Sequence, residues 1–206
     1  MTIDEVMRGA PVIPVLVLDG SIDPVALAET LVGAGLPVIE VTLRTPSALD
    51  AIRAMRTVDG AIVGAGTVLN ERMLEEAIDA GSQFIVSPGL TEPLGRAAHA
   101  SGVPFLPGVA NAGDIMRGLD LGLSHFKFFP AEASGGLAAL KALAAPFGEV
   151  RFCPTGGIRE KSAPQWLAHP SVLCVGGSWV VQPGETDLAA IAARARAAAA
   201  LKETAS

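Results

Sequence analysis

Ser124-His125-Phe126-Lys127-Phe128-Phe129-Pro130 is an aromatic run closed by a proline, with a lysine at its centre. Phe126, Phe128 and Phe129 favour a pleated, buried surface, and an ammonium group is almost never fully buried unless something offsets its desolvation. The chain has four lysines. Lys141, Lys161 and Lys202 stand in polar or helix-like contexts that a solvated face explains; Lys127 does not. Two readings compete for it: a strand-end side chain reaching out to water, or an amine that burial makes available as a nucleophile.

Runs of the same kind recur along the chain, at 12–18, 38–43, 61–68, 84–87, 105–109, 125–129, 150–153 and 172–175. Most are near-continuous in Val, Ile, Leu and Phe, the pattern of parallel strands covered on both faces. Ala- and Leu-rich segments with helical spacing lie between them, for example 24–34, 47–55, 70–80 and 112–121. Asn70 and Glu71 open one helix, while Gly33-Ala34-Gly35, Gly81 and Gly102 close others. A short amphipathic helix is expected at 2–9 and an alanine- and arginine-rich terminal helix at 187–201. Eight strand-plus-helix units in 206 residues point to an α/β fold, a (β/α)8 TIM barrel forming a single domain. An open doubly wound sheet would need a glycine-rich dinucleotide turn after the first strand, and Asp19-Gly20-Ser21-Ile22-Asp23 contains one glycine.

Composition narrows the function classes. Apolar residues make up 50% and charged residues 17%, which excludes a disordered chain. A net charge of −6 offers no basic patch, so nucleic acid is not an expected partner. Met1 to Ala10 carries Asp4, Glu5 and Arg8 and no apolar run, unlike a secretory signal, and no stretch approaches the ~18 apolar residues of a membrane helix. A soluble, cytoplasmic protein with no membrane partner is expected. Cys153 and Cys174 sit in apolar runs and are expected as reduced core thiols. His99, His125 and His169 are scattered without ligand spacing, so no metal site is expected.

A barrel places its active site at the carboxyl ends of the strands. In Glu40-Val41-Thr42-Leu43-Arg44-Thr45 the polar Glu40, Thr42 and Arg44 share one parity and face together. Glu40 and Arg44 could simply pair at the strand end. Yet Glu40 is the one carboxylate within the eight apolar runs, as Lys127 is the one amine. Opposite strands of a barrel would bring them into the same small volume, leaving Arg44 for a substrate carboxylate. The glycines of Ile62-Val63-Gly64-Ala65-Gly66-Thr67 serve close packing or leave room for a ligand near the Thr67 hydroxyl. Ser87-Pro88-Gly89 and Leu106-Pro107-Gly108 read as structural turns at a pocket rim. Paired glycines after the last two strands, in Thr155-Gly156-Gly157 and Gly176-Gly177-Ser178, suit a phosphate held by bare backbone N–H groups.

From about residue 10 to 182 the chain resembles the bacterial 2-keto-3-deoxy-6-phosphogluconate aldolase family, whose members often also cleave 4-hydroxy-2-oxoglutarate, and six ordered motifs carry the likeness. They are Glu40–Thr45, Val63–Val68, Ser87-Pro88-Gly89, Phe126–Glu132, Arg151–Ile158 and Gly176–Trp179. The resemblance implies a trimeric class I aldolase of the Entner-Doudoroff pathway. It implies Lys127 as the Schiff-base lysine, Glu40 as proton shuttle, and Arg44 and Thr67 on the pyruvate carboxylate. Pro88 and Phe129 would line the pocket, and Thr155, Gly156, Gly157, Gly177 and Ser178 would hold the phosphate of a phosphorylated 2-keto acid. No cofactor is implied. One departure is visible: Asn111 stands where relatives usually carry threonine, on what would be one side of the pocket. A galactonate-series substrate, a metal-dependent aldolase or epimerase, and a non-catalytic phosphate-binding barrel are the alternatives, and the last leaves Lys127 and Glu40 unexplained.

Overall fold

The computed structural model describes residues 1–201, so Lys202 lies outside the described residues. Helix α1 (Ile3–Arg8) opens on a capping box in which Thr2 and Glu5 satisfy each other's backbone N–H groups. Strands and helices then alternate: β1 (Val12–Leu16), α2 (Pro24–Gly33), β2 (Val38–Thr42), α3 (Ala48–Met55), β3 (Ile62–Gly66), α4 (Glu71–Asp79), β4 (Ile85–Val86), α5 (Glu92–Ser101) and β5 (Phe105–Leu106). The second half runs β6 (Gly108–Val109), α6 (Ala112–Asp120), β7 (His125–Phe128), α7 (Gly136–Ala144), β8 (Arg151–Pro154), α8 (Ala163–Leu167), β9 (Val175–Gly177) and α9 (Leu188–Ala199).

All pairings are parallel. They make a six-stranded sheet, β5-β4-β3-β2-β1-β9, and a three-stranded one, β6-β7-β8. Pro107 alone separates β5 from β6, and isolated parallel bridges, Phe152 to Val172 and Thr155 to Gly176, tie β8 to the β9 segment. The fold is thus α/β and TIM-barrel-like.

Two expected strands differ. The run at 105–109 is split at Pro107, which has no N–H to give to a ladder. The last strand is not 172–175 but Val175–Gly177, because Gly176 and Gly177 pair with Ile13 and Pro14 of β1. Two glycines expected in a turn are therefore strand residues.

The near-continuous apolar runs hide a two-sided alternation. Outward residues such as Ile39, Val41, Phe126, Phe128 and Phe152 join the helices in one large core. Inward residues form a second cluster: Ile13, Val38, Val86, Leu106, Cys153 and Cys174, packed on Phe84 and closed by Val6 and Met7 of α1. Helix α1 thus plugs the amino-terminal mouth, and Asp4 accepts a hydrogen bond from His125 Nε2 at 3.1 Å. Arg8 and then His125 hold the Asp4 carboxyl below its ordinary range. Strand β7 therefore turns His125 to the plug and, two residues on, Lys127 to the interior.

Candidate active site

Lys127 is 6% exposed and Glu40 3%. The ammonium donates to Glu40 Oε1 at 3.0 Å and Oε2 at 3.4 Å. A lysine reaching out to water is ruled out by that burial. A buried ion pair of this kind offsets the cost of taking either charge out of water, and removing one partner strands the other. Glu40 does not pair with Arg44; Arg44 Nε instead donates to Thr67 Oγ1 at 3.2 Å.

Small neighbours make room for the pair. Gly108 and Cys153 stand beside Lys127 on the flanking strands, and Gly64 beside Glu40. A methyl group on Gly64 would come within 2.6 Å of the Phe84 ring, so this glycine serves packing. A methyl group on Gly66 would overlap the Glu40 carboxylate, so this one serves the charged pair. Cys174 lies fully buried in the same interior. Its hydrogen bond with Cys153, burial and the Glu40 charge together push its thiol well above the ordinary range, so it stays a neutral thiol. Both cysteines are free and buried, as expected.

Phe129 links the pair to a small cavity. Its ring centroid is 5.4 Å from Lys127 Nζ, and it lines a cavity of about 130 Å³ together with Val15, Arg44, Thr155, Gly156, Gly157, Ile158, Gly176 and Ser178. The turn after β8 forms one wall of the cavity. Ala131 N–H donates to the Thr155 carbonyl at 2.8 Å, and Glu132 N–H to the Gly156 carbonyl at 3.0 Å. Across a trans peptide the following N–H points opposite to the carbonyl. The N–H groups of Gly156 and Gly157 are therefore turned away from that segment, and neither finds an acceptor among the described residues. Both glycines are left-handed, at φ 103° and 82°, a shape that side-chain-bearing residues rarely take. Two unspent N–H groups beside Thr155 and Ser178 make a nest for an anionic oxygen.

Other expected residues fall elsewhere. Gly177 is inside β9 against the Trp179 ring, and its neighbour Gly176 lines the cavity instead, where a methyl group would overlap the Thr155 hydroxyl. The sequence offered no way to choose between the two glycines, since the choice depends on strand parity. Pro88 is half-buried in the turn after β4, outside the 130 Å³ cavity, with its carbonyl against the Gly108 backbone. Thr67, also outside that lining, holds φ 61°, the one non-glycine residue with positive φ among the described residues. Such strain persists where surrounding structure over-determines it, here with the Thr67 hydroxyl fixed on Arg44. Asn111 caps α6, its Oδ1 accepting from Asp114 N–H at 3.0 Å, so the side chain is committed to the helix rather than to the pocket. Among the described residues no group of three or more His, Cys, Asp or Glu is arranged to hold a metal ion, and no helix is long and apolar enough to cross a membrane.

The chain matches the family model for KDPG and KHG aldolases over residues 3–194. It is 61% identical over 203 residues to the 2-dehydro-3-deoxy-phosphogluconate aldolase of Zymomonas mobilis, covering 98% of each chain. A crystal structure of the Zymomonas mobilis 2-keto-3-deoxy-6-phosphogluconate aldolase with 3-phosphoglycerate superposes with a TM-score of 0.96 at 60% identity, covering 98% of this chain and 97% of that one. The KDPG aldolase of Legionella pneumophila, with pyruvate captured as a covalent carbinolamine, superposes at 0.93 with 41% identity, covering 97% and 98%. A match of this length and closeness leaves one assignment: the chain belongs to the KDPG and KHG aldolase family.

Proposed function

We propose that this protein is a class I aldolase, an aldehyde-lyase that cleaves 2-keto-3-deoxy-6-phosphogluconate to pyruvate and glyceraldehyde 3-phosphate. It also splits 4-hydroxy-2-oxoglutarate to pyruvate and glyoxylate. The observation that carries this reading is the buried Lys127–Glu40 pair at 3.0 Å, joined through Phe129 to an anion nest.

Glu40 takes a proton from the Lys127 ammonium, and the freed amine attacks the C2 ketone. Glu40 returns the proton as the carbinolamine loses water, leaving an iminium on Lys127. As a carboxylate again, Glu40 accepts the C4 hydroxyl proton; the C3–C4 bond breaks and its electron pair flows into the iminium. The aldehyde departs. Glu40 protonates the enamine at C3, and water hydrolyses the resulting iminium to pyruvate and free Lys127. One carboxylate within reach of one amine suffices for every proton move.

Arg44, held by Thr67, binds the pyruvate carboxylate, with Pro88 and Phe129 against the ketone end. Thr155, Gly156, Gly157 and Ser178 bind the phosphate, and Gly177 supports that end from within β9. The 3-phosphoglycerate in the Zymomonas mobilis structure and the pyruvate carbinolamine in the Legionella pneumophila one support a phosphorylated end and a covalent end of this kind. The two sheets close into one eight-stranded barrel, with β5 and β6 as a single interrupted strand, forming one domain. A homotrimer working in the cytoplasm on the Entner-Doudoroff pathway completes the proposal, and family likeness supports it. Pyruvate release from the phosphorylated substrate, followed through lactate dehydrogenase and NADH, tests the reading. Turnover is expected for the native chain and none for Lys127→Ala; comparable rates for both would overturn it.

A further inference from the structure

We propose that Glu132 is a positioning residue for the phosphate end of the substrate, acting by bracing the Gly156-Gly157 turn from behind. The inference rests on the phosphate reading of that turn.

Glu132 does two separate things to the turn. Its backbone N–H holds the Gly156 carbonyl at 3.0 Å, which aims the next N–H the opposite way. Its Cβ and Cγ pack directly against Gly157, where an added methyl group would sit 2.8 and 2.7 Å from them. The side chain is itself held, since Glu132 Oε1 accepts from Trp166 Nε1 at 3.3 Å. Trp166 is a firm anchor: it is 2% exposed, and its ring lies 6.3 Å from that of Phe128, the residue next to Lys127. The brace therefore runs from a buried indole, through a carboxylate and two methylenes, to a turn of two left-handed glycines that have no side chains to hold themselves.

A turn with two conformationally free residues keeps its N–H groups aimed only while something limits the alternatives. Glu132 supplies that limit without touching substrate. A carboxylate near a phosphate would repel it, and using Oε1 on the indole and the methylenes on the turn is what makes this residue type tolerable there.

The test compares two substrates that differ in the phosphate. For Glu132→Ala, KM for 2-keto-3-deoxy-6-phosphogluconate is expected to rise about 5- to 10-fold, the equivalent of one lost hydrogen-bond-scale constraint. KM for unphosphorylated 4-hydroxy-2-oxoglutarate and kcat on both are expected to stay within about 2-fold. Trp166→Phe keeps an aromatic side chain there but loses the indole N–H and part of its bulk, and is expected to shift KM in the same direction. Glu132→Gln keeps the methylenes and an acceptor oxygen and is expected to restore the native KM. Equal losses on both substrates, or no loss on either, would overturn the bracing role. Gly157→Ala separates the two levels of the argument. If it raises KM for the phosphorylated substrate alone while Glu132→Ala does not, the phosphate site stands and the brace is wrong; if it affects both substrates alike, the phosphate reading fails and the brace with it.

Discussion

Gly66→Ala inserts one methyl group into the Lys127–Glu40 pair. An ideal methyl at that position lies 2.8 Å from both Cγ and Cδ of Glu40, with a closer approach to Oε1. Ordinary contact begins at 3.4 Å, so the side chain must retreat by about 0.6 Å or more. The backbone cannot give way readily, because Gly66 is paired with Thr42 in the β2–β3 ladder and the Thr42 hydroxyl is itself bonded to the Leu16 carbonyl at 2.7 Å. A displacement nearing 1 Å in a reacting constellation costs roughly 100-fold in rate, and overpacking a dense interior costs about 1–3 kcal/mol of stability. We expect kcat for pyruvate release to fall about 100-fold with the substrate KM little changed, and the unfolding midpoint to drop by a few degrees. Stopped-flow or coupled assays and a thermal melt read both. A Gly66→Ala enzyme with kcat within 3-fold of the parent would show that the carboxylate's position is not what limits the chemistry.

Lys127→Met leaves the 3%-exposed Glu40 without its partner and is expected to lower unfolding free energy by about 3 kcal/mol in urea, with Glu40→Gln in the same chain recovering most of it. Asn111→Thr keeps the α6 cap and is expected to leave substrate preference untouched, whereas Asn111→Ala costs about 1 kcal/mol of stability with the same preference. Asp4 has a depressed carboxyl, so it stabilises the fold above its unfolded titration range and loses that contribution as pH falls through its folded one. Asp4→Asn is therefore expected to flatten the fall in melting temperature on the acid side of about pH 4.

The residues that could be read in the sequence were those whose chemistry conflicts with their surroundings. Lys127 among phenylalanines and Glu40 among valines could be paired before any coordinates because a barrel leaves inward residues few places to go. What could not be read were contacts across the interior. Gly64 and Gly66 look alike in the chain, yet one faces a phenylalanine and the other a carboxylate, and only the register of β2, β3 and Phe84 tells them apart. Gly176 and Gly177 were expected in a turn because paired glycines usually make one; their ladder with Ile13 and Pro14 makes them strand, and parity then gives the cavity to Gly176. Asn111 stands out in the sequence as a departure from the family's usual threonine, on what would be one side of the pocket. Asn is also a preferred residue at a helix N-cap, and that local preference sets its side chain here. The Glu132–Trp166 link spans 34 residues and leaves no trace in the sequence around either residue.

The proposed chemistry requires the Lys127 amine to become covalently bonded to substrate. Incubation with pyruvate and sodium borohydride, digestion and peptide mass mapping reads that directly. We expect irreversible inactivation, with a reduced pyruvyl adduct on the peptide carrying Lys127 and on no other lysine. Full activity after this treatment, or an adduct at Lys141 or Lys161 with Lys127 unmodified, would contradict it.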